Sequence, residues 1–264
     1  MKIAAHLGYL WADRPVAEAI PLAAAAGFAG FELHAPYDQD QAEIRAALID
    51  AGRPMLGVNT RRSLDPEDRE TVGLTALPGR EHEAQDAILE AIDWARALGA
   101  AHIHVLAGKT SGPEAAATFD ANLLWACGQA AKASVGLVLE PLNTLDNPGY
   151  FLSTTTHAAE IIRRLGRPEL GLMFDTYHVQ VMEGDVIRRF GRLLPLIRHV
   201  QFASTPGRLR PDLGDLAHER VLPAMRAAGY EGFFGAEYRT GPVTGPDTEK
   251  TLGWFDAWRT AGIG

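Results

Sequence analysis

A single cysteine, Cys127, stands among the 264 residues, so no internal disulfide can staple the chain and its stability must come from burial. One thiol in a helix-like segment is expected to pack rather than react, and it suits a reducing cytoplasm. No apolar stretch reaches the roughly 18 uninterrupted residues that a membrane-spanning helix needs. The apolar start has only Lys2 as a basic region and is broken by Asp13 and Arg14, so Lys2 to Gly8 is read as a strand rather than a secretion signal. Positive charge is also short. Twenty-five Lys and Arg face 33 Asp and Glu, for a formal charge of −8, the wrong overall sign for nucleic acid or an anionic membrane. Linkers and low-complexity tracts are missing too. A hydrophobic share of 47% against 22% charged residues excludes disorder. The expectation is a soluble, cytoplasmic protein with a small-molecule partner, free to form a homo-oligomer.

What is present is a rhythm. Short apolar runs recur at Ile3 to Leu7, Gly30 to Leu33, Met55 to Val58, Ile103 to Leu106, Leu137 to Leu139, Leu170 to Phe174, Ile197 to Phe202 and Phe233 to Ala236. Between them lie Ala-, Leu-, Glu- and Arg-rich helix candidates, among them Val16 to Ala26, Glu81 to Leu98, Glu114 to Ala133, Thr155 to Leu165 and His218 to Ala228. Gly27, Gly52, Gly99, Gly166 and Gly229 punctuate helix ends, where a left-handed cap favours glycine. Strands buried on both faces and joined by helical crossovers make a parallel sheet, and eight such units favour a closed (β/α)8 TIM barrel of one domain, residues 1–264, over an open doubly wound sheet. The longest irregular stretches, Thr60 to Arg80, Pro141 to Leu152 and Ala203 to Gly214, all follow strands and would share the face where barrel enzymes place their chemistry.

Glu140, Asp175, Gln201 and Glu237 each sit at the polar end of an apolar run: LVLE, GLMFD, IRHVQF and FFGAE. A barrel would converge them as three carboxylates and one amide oxygen. Carboxylates so crowded repel unless a cation neutralises them or protons remain bound. Any one of these acids alone reads as readily as a helix N-cap or salt-bridge partner; the set of four points to a metal site. Oxygen ligation suits Mg²⁺ or Mn²⁺, with Co²⁺ or Zn²⁺ admissible at a site with open positions.

The longer motifs around these residues carry a resemblance. EPLNTLDNPGYFL from Glu140, FDTYHVQVMEGD from Phe174, HVQFASTPGR from His199 and GAEY from Gly235 resemble the hydroxypyruvate isomerase family of the xylose isomerase-like barrels, as do FELHAPYD, PGREHE and LAGKT earlier in the chain. The resemblance implies that Glu140, Asp175, Gln201 and Glu237 hold a metal, that Glu140 and Glu237 double as the acid/base pair, and that His178 and Arg208 contact substrate. Lys109 in LAGKT would add a second positive contact; it is not a Walker lysine, because Ile103 stands where the first glycine belongs. The implied reaction is aldose–ketose isomerisation through an enediolate, hydroxypyruvate giving tartronate semialdehyde. An oxo-tetronate or ketose isomerase or epimerase of the same superfamily would use the same chemistry.

Other readings bear on the pocket. Tyr9 and Trp11 could form a wall or simply pack; Asn59, Asn143 and Asp146 could line a rim or serve turns; Glu183 reads as a helix start. Arg210 and Asp215 stand where the family tends to carry acidic residues, which leaves substrate choice open. Apurinic endonucleases share the superfamily but resemble histidine-rich multi-zinc sites; only His34, His104 and His178 of nine histidines are expected near strand ends. A noncatalytic binding barrel is opposed by the four metal-site residues.

Overall fold

The structure, a computed structural model, describes residues 1–65, 67–68, 70–241 and 247–263. Pro66 and Arg69, within the predicted Thr60 to Arg80 loop, lie outside the described residues. Eight strands, β1 Ile3–His6, β2 Gly30–Glu32, β3 Met55–Asn59, β4 His102–His104, β5 Gly136–Leu139, β6 Leu170–Asp175, β7 Ile197–Phe202 and β8 Phe234–Ala236, form a closed parallel barrel in sequence order. The seam is β1 against β8, with Ile3 opposite Phe234 and Ala5 opposite Ala236. Around it run α1 Val16–Ala25, α2 Gln41–Ala51, α3 Glu81–Leu98, α4 Pro113–Ala133, α5 Thr155–Leu165, α6 Thr176–Met182, α7 Val186–Leu193, α8 His218–Ala227 and α9 Gly253–Thr260.

The helices form where apolar residues recur at helical spacing. α3 buries Ala84, Ala87, Ile88, Ala91, Ile92, Ala95 and Leu98 as one stripe and leaves its charged face to water. Gly52, Gly99 and Gly166 take the left-handed cap conformation, whereas Gly27 and Gly229 follow a right-handed cap residue and turn the chain one position later. Cys127 is buried in α4 and packs, as expected, and burial pushes its thiol up to about 11.

Strand side chains alternate between the helix layer and the barrel axis. Asp175 lies opposite Gln201 and Met173 opposite His199 in the β6–β7 ladder, and all four positions share the inward parity. Because inward positions need not be apolar here, β4 begins at His102, whose ring packs against that of His199 at 4.8 Å, and ends two residues before the predicted Leu106. β6 likewise extends through Asp175, whose carboxylate caps α6 by accepting from the Tyr177 amide at 2.8 Å. Glu183 ends α6 rather than starting a helix; its carboxylate accepts from the Thr155 amide at 2.8 Å and pairs with Arg189 at 2.9 Å.

His218 opens α8 fully buried, with Nε2 at 3.0 Å from Thr176 Oγ1 and Nδ1 at 3.3 Å from the Pro211 carbonyl. Burial holds its pKa down at about 4 against 6.5 for a free ring. As pH falls from about 6.5 to about 4, the unfolded chain binds a proton that the folded ring refuses, so this stability is present above 6.5 and is lost on acidification. Melting temperature against pH should therefore fall more steeply in the native protein than in His218→Gln across that window. The difference is at most one proton, about 1.4 kcal/mol per pH unit; identical slopes would assign the acid sensitivity elsewhere.

Candidate active site at the carboxyl ends of the strands

The three long loops expected from the sequence do gather at the carboxyl ends of the strands, around a cavity of about 400 Å³. Glu140 and Glu237 reach it from just beyond β5 and β8, Arg208 from the loop after β7, and Lys109 from the loop after β4. Glu140, Asp175, Gln201 and Glu237 are each 5% exposed or less.

Arg208 organises these acids. Its backbone is left-handed (φ 56°), a costly conformation for a residue with a side chain, and it is fixed by the Arg239 amide donating to its carbonyl at 2.7 Å. From there the guanidinium donates through Nε to the Glu237 carbonyl at 3.2 Å. Its Nη2 lies 3.1 Å from Asp175 Oδ2 and 2.9 Å from Glu237 Oε1. The rings of Tyr9 and Tyr177 lie 4.9 and 5.3 Å from it, screening it from solvent. Burial alone would weaken the cation, but Glu237, Tyr9, Asp175 and Glu140 hold it firmly protonated.

Histidines fill the remaining sides. His178 Nε2 lies 3.6 Å from Glu140 Oε1 and 3.7 Å from Asp175 Oδ2, and 3.2 Å from Arg208 Nη1. Its Nδ1 accepts from the Asn143 amide at 2.9 Å, so the neutral ring carries its proton on Nε2, facing Glu140 and Asp175, and the Arg208 Nη1 approach, N–H against N–H, is not a hydrogen bond. Burial and Arg208 keep this ring neutral, well below the usual histidine range. His104 Nδ1 is 3.2 Å from Glu140 Oε2, while His34 and His6 approach Glu237 Oε1 at 3.4 and 3.9 Å. The three histidines expected near strand ends, His34, His104 and His178, are all here, and His6 joins them. His6 is the last residue of β1, not interior to a strand running through Leu7, and His102 and His199 face the axis below.

The two glutamates differ sharply. Burial raises Glu140 well above the usual carboxyl range, reinforced by Glu237 and Asp175. Asp175 is pushed up to about 7 by burial, against the pull of Arg208. Burial also disfavours charge on Glu237, yet Arg208, His6 and His34 outweigh it and hold this carboxylate well below the ordinary range.

A divalent cation fits this donor set. Two groups place ligand atoms within 4.8 Å of one another, Glu140 with Asp175 and His178, and Glu237 with His6 and His34. Glu140 Oε1, Glu237 Oε2 and Gln201 Oε1 are buried without a hydrogen-bond partner, and such oxygens demand a proton or a cation. Gln201 does not face the open cavity; its Nε2 donates to Glu32 Oε2 at 2.7 Å beneath it.

The rim divides the other sequence candidates. Tyr9, Asn59 and Asp146 line the cavity, whereas Trp11 packs edge-on against Phe28 at 6.1 Å and donates to Glu249 at 2.5 Å. Asn143 is buried and works as a turn, accepting from the amides of Leu145 and Asp146 while holding His178. Arg210 pairs with Asp212 at 2.7 Å, and Asp215 accepts from the Thr205 hydroxyl, so both brace the loop that carries Arg208. Arg62 and Arg239 join Lys109 on the rim and were not anticipated, nor were the buried Glu32 and His199.

The family model of the xylose isomerase-like TIM barrel matches residues 20–258. A 2-oxo-tetronate isomerase from Cupriavidus necator is 36% identical over 96% of this chain and 97% of that protein. The hydroxypyruvate isomerase from Escherichia coli is 32% identical over 98% of this chain and 100% of that one. Among solved structures, one described as an AP endonuclease, family 2, from Brucella melitensis superposes with a TM-score of 0.90 at 32% identity, covering 98% and 99% of the two chains. An E. coli 3-keto-D-glucoside 4-epimerase shares the fold at a TM-score of 0.81 and 20% identity, over 97% and 99%. The chain belongs to the xylose isomerase-like TIM barrel family. It is an isomerase, similar over nearly its whole length to the hydroxypyruvate and 2-oxo-tetronate isomerases. No helix among the described residues is long and apolar enough to cross a membrane.

Replacing Arg208 by Met should leave Asp175 and Glu237 buried without their cation and destabilise the metal-free protein by about 3–5 kcal/mol in urea unfolding. Arg208→Lys should recover little of this, because an ammonium lacks the fork that reaches Asp175, Glu237 and the Glu237 carbonyl together.

Proposed function

We propose that the chain catalyses metal-assisted aldose–ketose isomerisation of a small hydroxy-keto acid, with hydroxypyruvate and tartronate semialdehyde as the interconverted pair. The observation that carries this reading is a pair of buried glutamates at one cavity in unlike surroundings, Glu237 2.9 Å from Arg208 and Glu140 crowded by Glu237 and Asp175, which drives their proton affinities in opposite directions. Carboxyl groups driven apart in this way suit a base that takes a carbon-bound proton and an acid that returns one to the neighbouring carbon.

In this mechanism Glu237 takes the carbon-bound proton and passes it to the carbonyl oxygen, while Glu140 takes the hydroxyl proton and passes it to the neighbouring carbon, so both carboxylates end as they began. The cluster of His178, held by Asn143, donates from Nε2 toward a substrate oxygen in place of its contact with Glu140. Glu140, Asp175, Gln201 and Glu237 would hold the ion, with His178, His6 and His34 beside them; Mg²⁺ or Mn²⁺ suits the oxygens, and the adjacent nitrogens admit Co²⁺ or Zn²⁺. When bound, it supplies the positive charge that stabilises negative charge developing on the substrate's oxygens. Arg208 contacts the substrate from between Asp175 and Glu237. Lys109, with Arg62 and Arg239, meets the substrate carboxylate at the rim.

A second reading, a four-carbon 2-oxo-tetronate, is supported by the 36% identity to a 2-oxo-tetronate isomerase and would use the same residues. The net charge of −8 speaks against a nucleic-acid substrate, and the buried Cys127 suits the cytoplasm.

The test is metal-free protein with hydroxypyruvate or 2-oxo-tetronate in D₂O, with and without Mn²⁺, followed by NMR. Metal-dependent deuterium incorporation with isomer formation is expected, and the acid turned over faster names the substrate. No exchange with either acid under any metal would sink the proposal. Glu140→Gln and Glu237→Gln should each lower kcat by about 10²–10⁴ while the circular dichroism spectrum stays native. Lys109→Met should raise KM about tenfold with kcat little changed, the loss of roughly one charge-assisted hydrogen bond.

A further inference from the structure

Below the cavity the barrel is filled by a second polar layer that neither the acid/base pair nor the rim cations use. Glu32, at the end of β2, is 2% exposed and faces the axis. His199 Nε2 lies 2.9 Å from its Oε1, and the Gln201 amide donates to its Oε2 at 2.7 Å. The His102 ring packs tilted at 40° against that of His199.

The barrel is built to admit this carboxylate. A Cβ at Gly235 would fall 1.9 Å from Glu32 Oε1, and one at Gly57 would fall 2.6 Å from His102 Nε2, so two inward strand positions carry no side chain where these groups need the space. An apolar side chain would fill the same volume without the cost of burying a polar group, so packing alone gives no reason for an acid here.

Its geometry gives one. An amide has a donor end and an acceptor end, and an ionised carboxylate only accepts. With Glu32 beneath it, the Gln201 NH₂ is committed downward, and Oε1, buried and without a hydrogen-bond partner, is the only atom Gln201 can offer an ion. We propose that Glu32, with His199 packed against its other oxygen, is a positioning residue that fixes the orientation of the Gln201 amide and so sets the affinity of the metal site. This rests on the metal site proposed above.

Mn²⁺ titrated into metal-free protein, read by calorimetry and by the ion's own EPR signal, tests it without recourse to turnover. Glu32→Met should weaken Mn²⁺ binding about 10- to 100-fold relative to the native protein. Glu32→Gln, whose carbonyl can still accept from Gln201, should recover most of that loss. Equal affinity in the native protein and Glu32→Met, with only the melting temperature changed, would overturn the proposal and leave Glu32 a structural group. Should Glu32→Met not fold, His199→Gln decides: weakened Mn²⁺ binding supports the proposal and unchanged binding overturns it. A native protein that binds no Mn²⁺ would overturn the metal-site reading itself, and the positioning role with it.

Discussion

Three carboxylates buried beside one another, Glu140, Asp175 and Glu237, are the constraint around which the rest of the molecule is arranged. Left alone they would repel one another and resist burial, and the structure meets this with a guanidinium that reaches Asp175 and Glu237 at once. The division of proton affinity follows directly. Glu237 lies against the cation, which lowers its proton affinity, whereas burial and like charge raise that of Glu140. Arg208, with His6 and His34 beside Glu237, thereby distinguishes two residues of identical chemistry.

The barrel makes that arrangement possible because residues far apart in sequence become ladder neighbours. Asp175 opposes Gln201, and Gln201 opposes Gly235, so three consecutive strands present their functional ends at one height. The loops then add what strands cannot. The loop after β5 turns on Asn143 to hold His178, and the loop after β7 folds back through the Ser204 and Leu209 bridge to aim Arg208 inward. Tyr177 donates to Asp146 at 2.7 Å while facing Arg208, which joins the two loops.

Much of this was legible in the sequence because it repeats. Eight apolar runs with glycine-punctuated helices predict the barrel, and the polar residue ending four of those runs marks Glu140, Asp175, Gln201 and Glu237. The inner polar layer was not legible for a related reason. Glu32, His102 and His199 sit inside or beside apolar runs, and one-dimensional reading expects such positions to be hydrophobic. Their signal was parity: His199 and Gln201 are two apart, as are His102 and His104, and each pair shares one strand face. His6 was missed because the strand ends there and not at Leu7. Arg62 and Arg239 carried no local pattern at all, since only the closure of the barrel brings their loops to one rim.

The two glycines at inward positions have a consequence for how this scaffold can vary. Gly57 and Gly235 are the negative image of His102 and Glu32, so a side chain at either glycine would displace its polar partner. A change at either glycine must therefore be matched by a change in its partner, whereas the rim, whose Lys109 and Arg62 stand on loops open to solvent, can change one residue at a time. New substrate preferences in this lineage should accordingly accumulate at the mouth over an inherited floor, and sequence comparison would find the two layers drifting at different tempos.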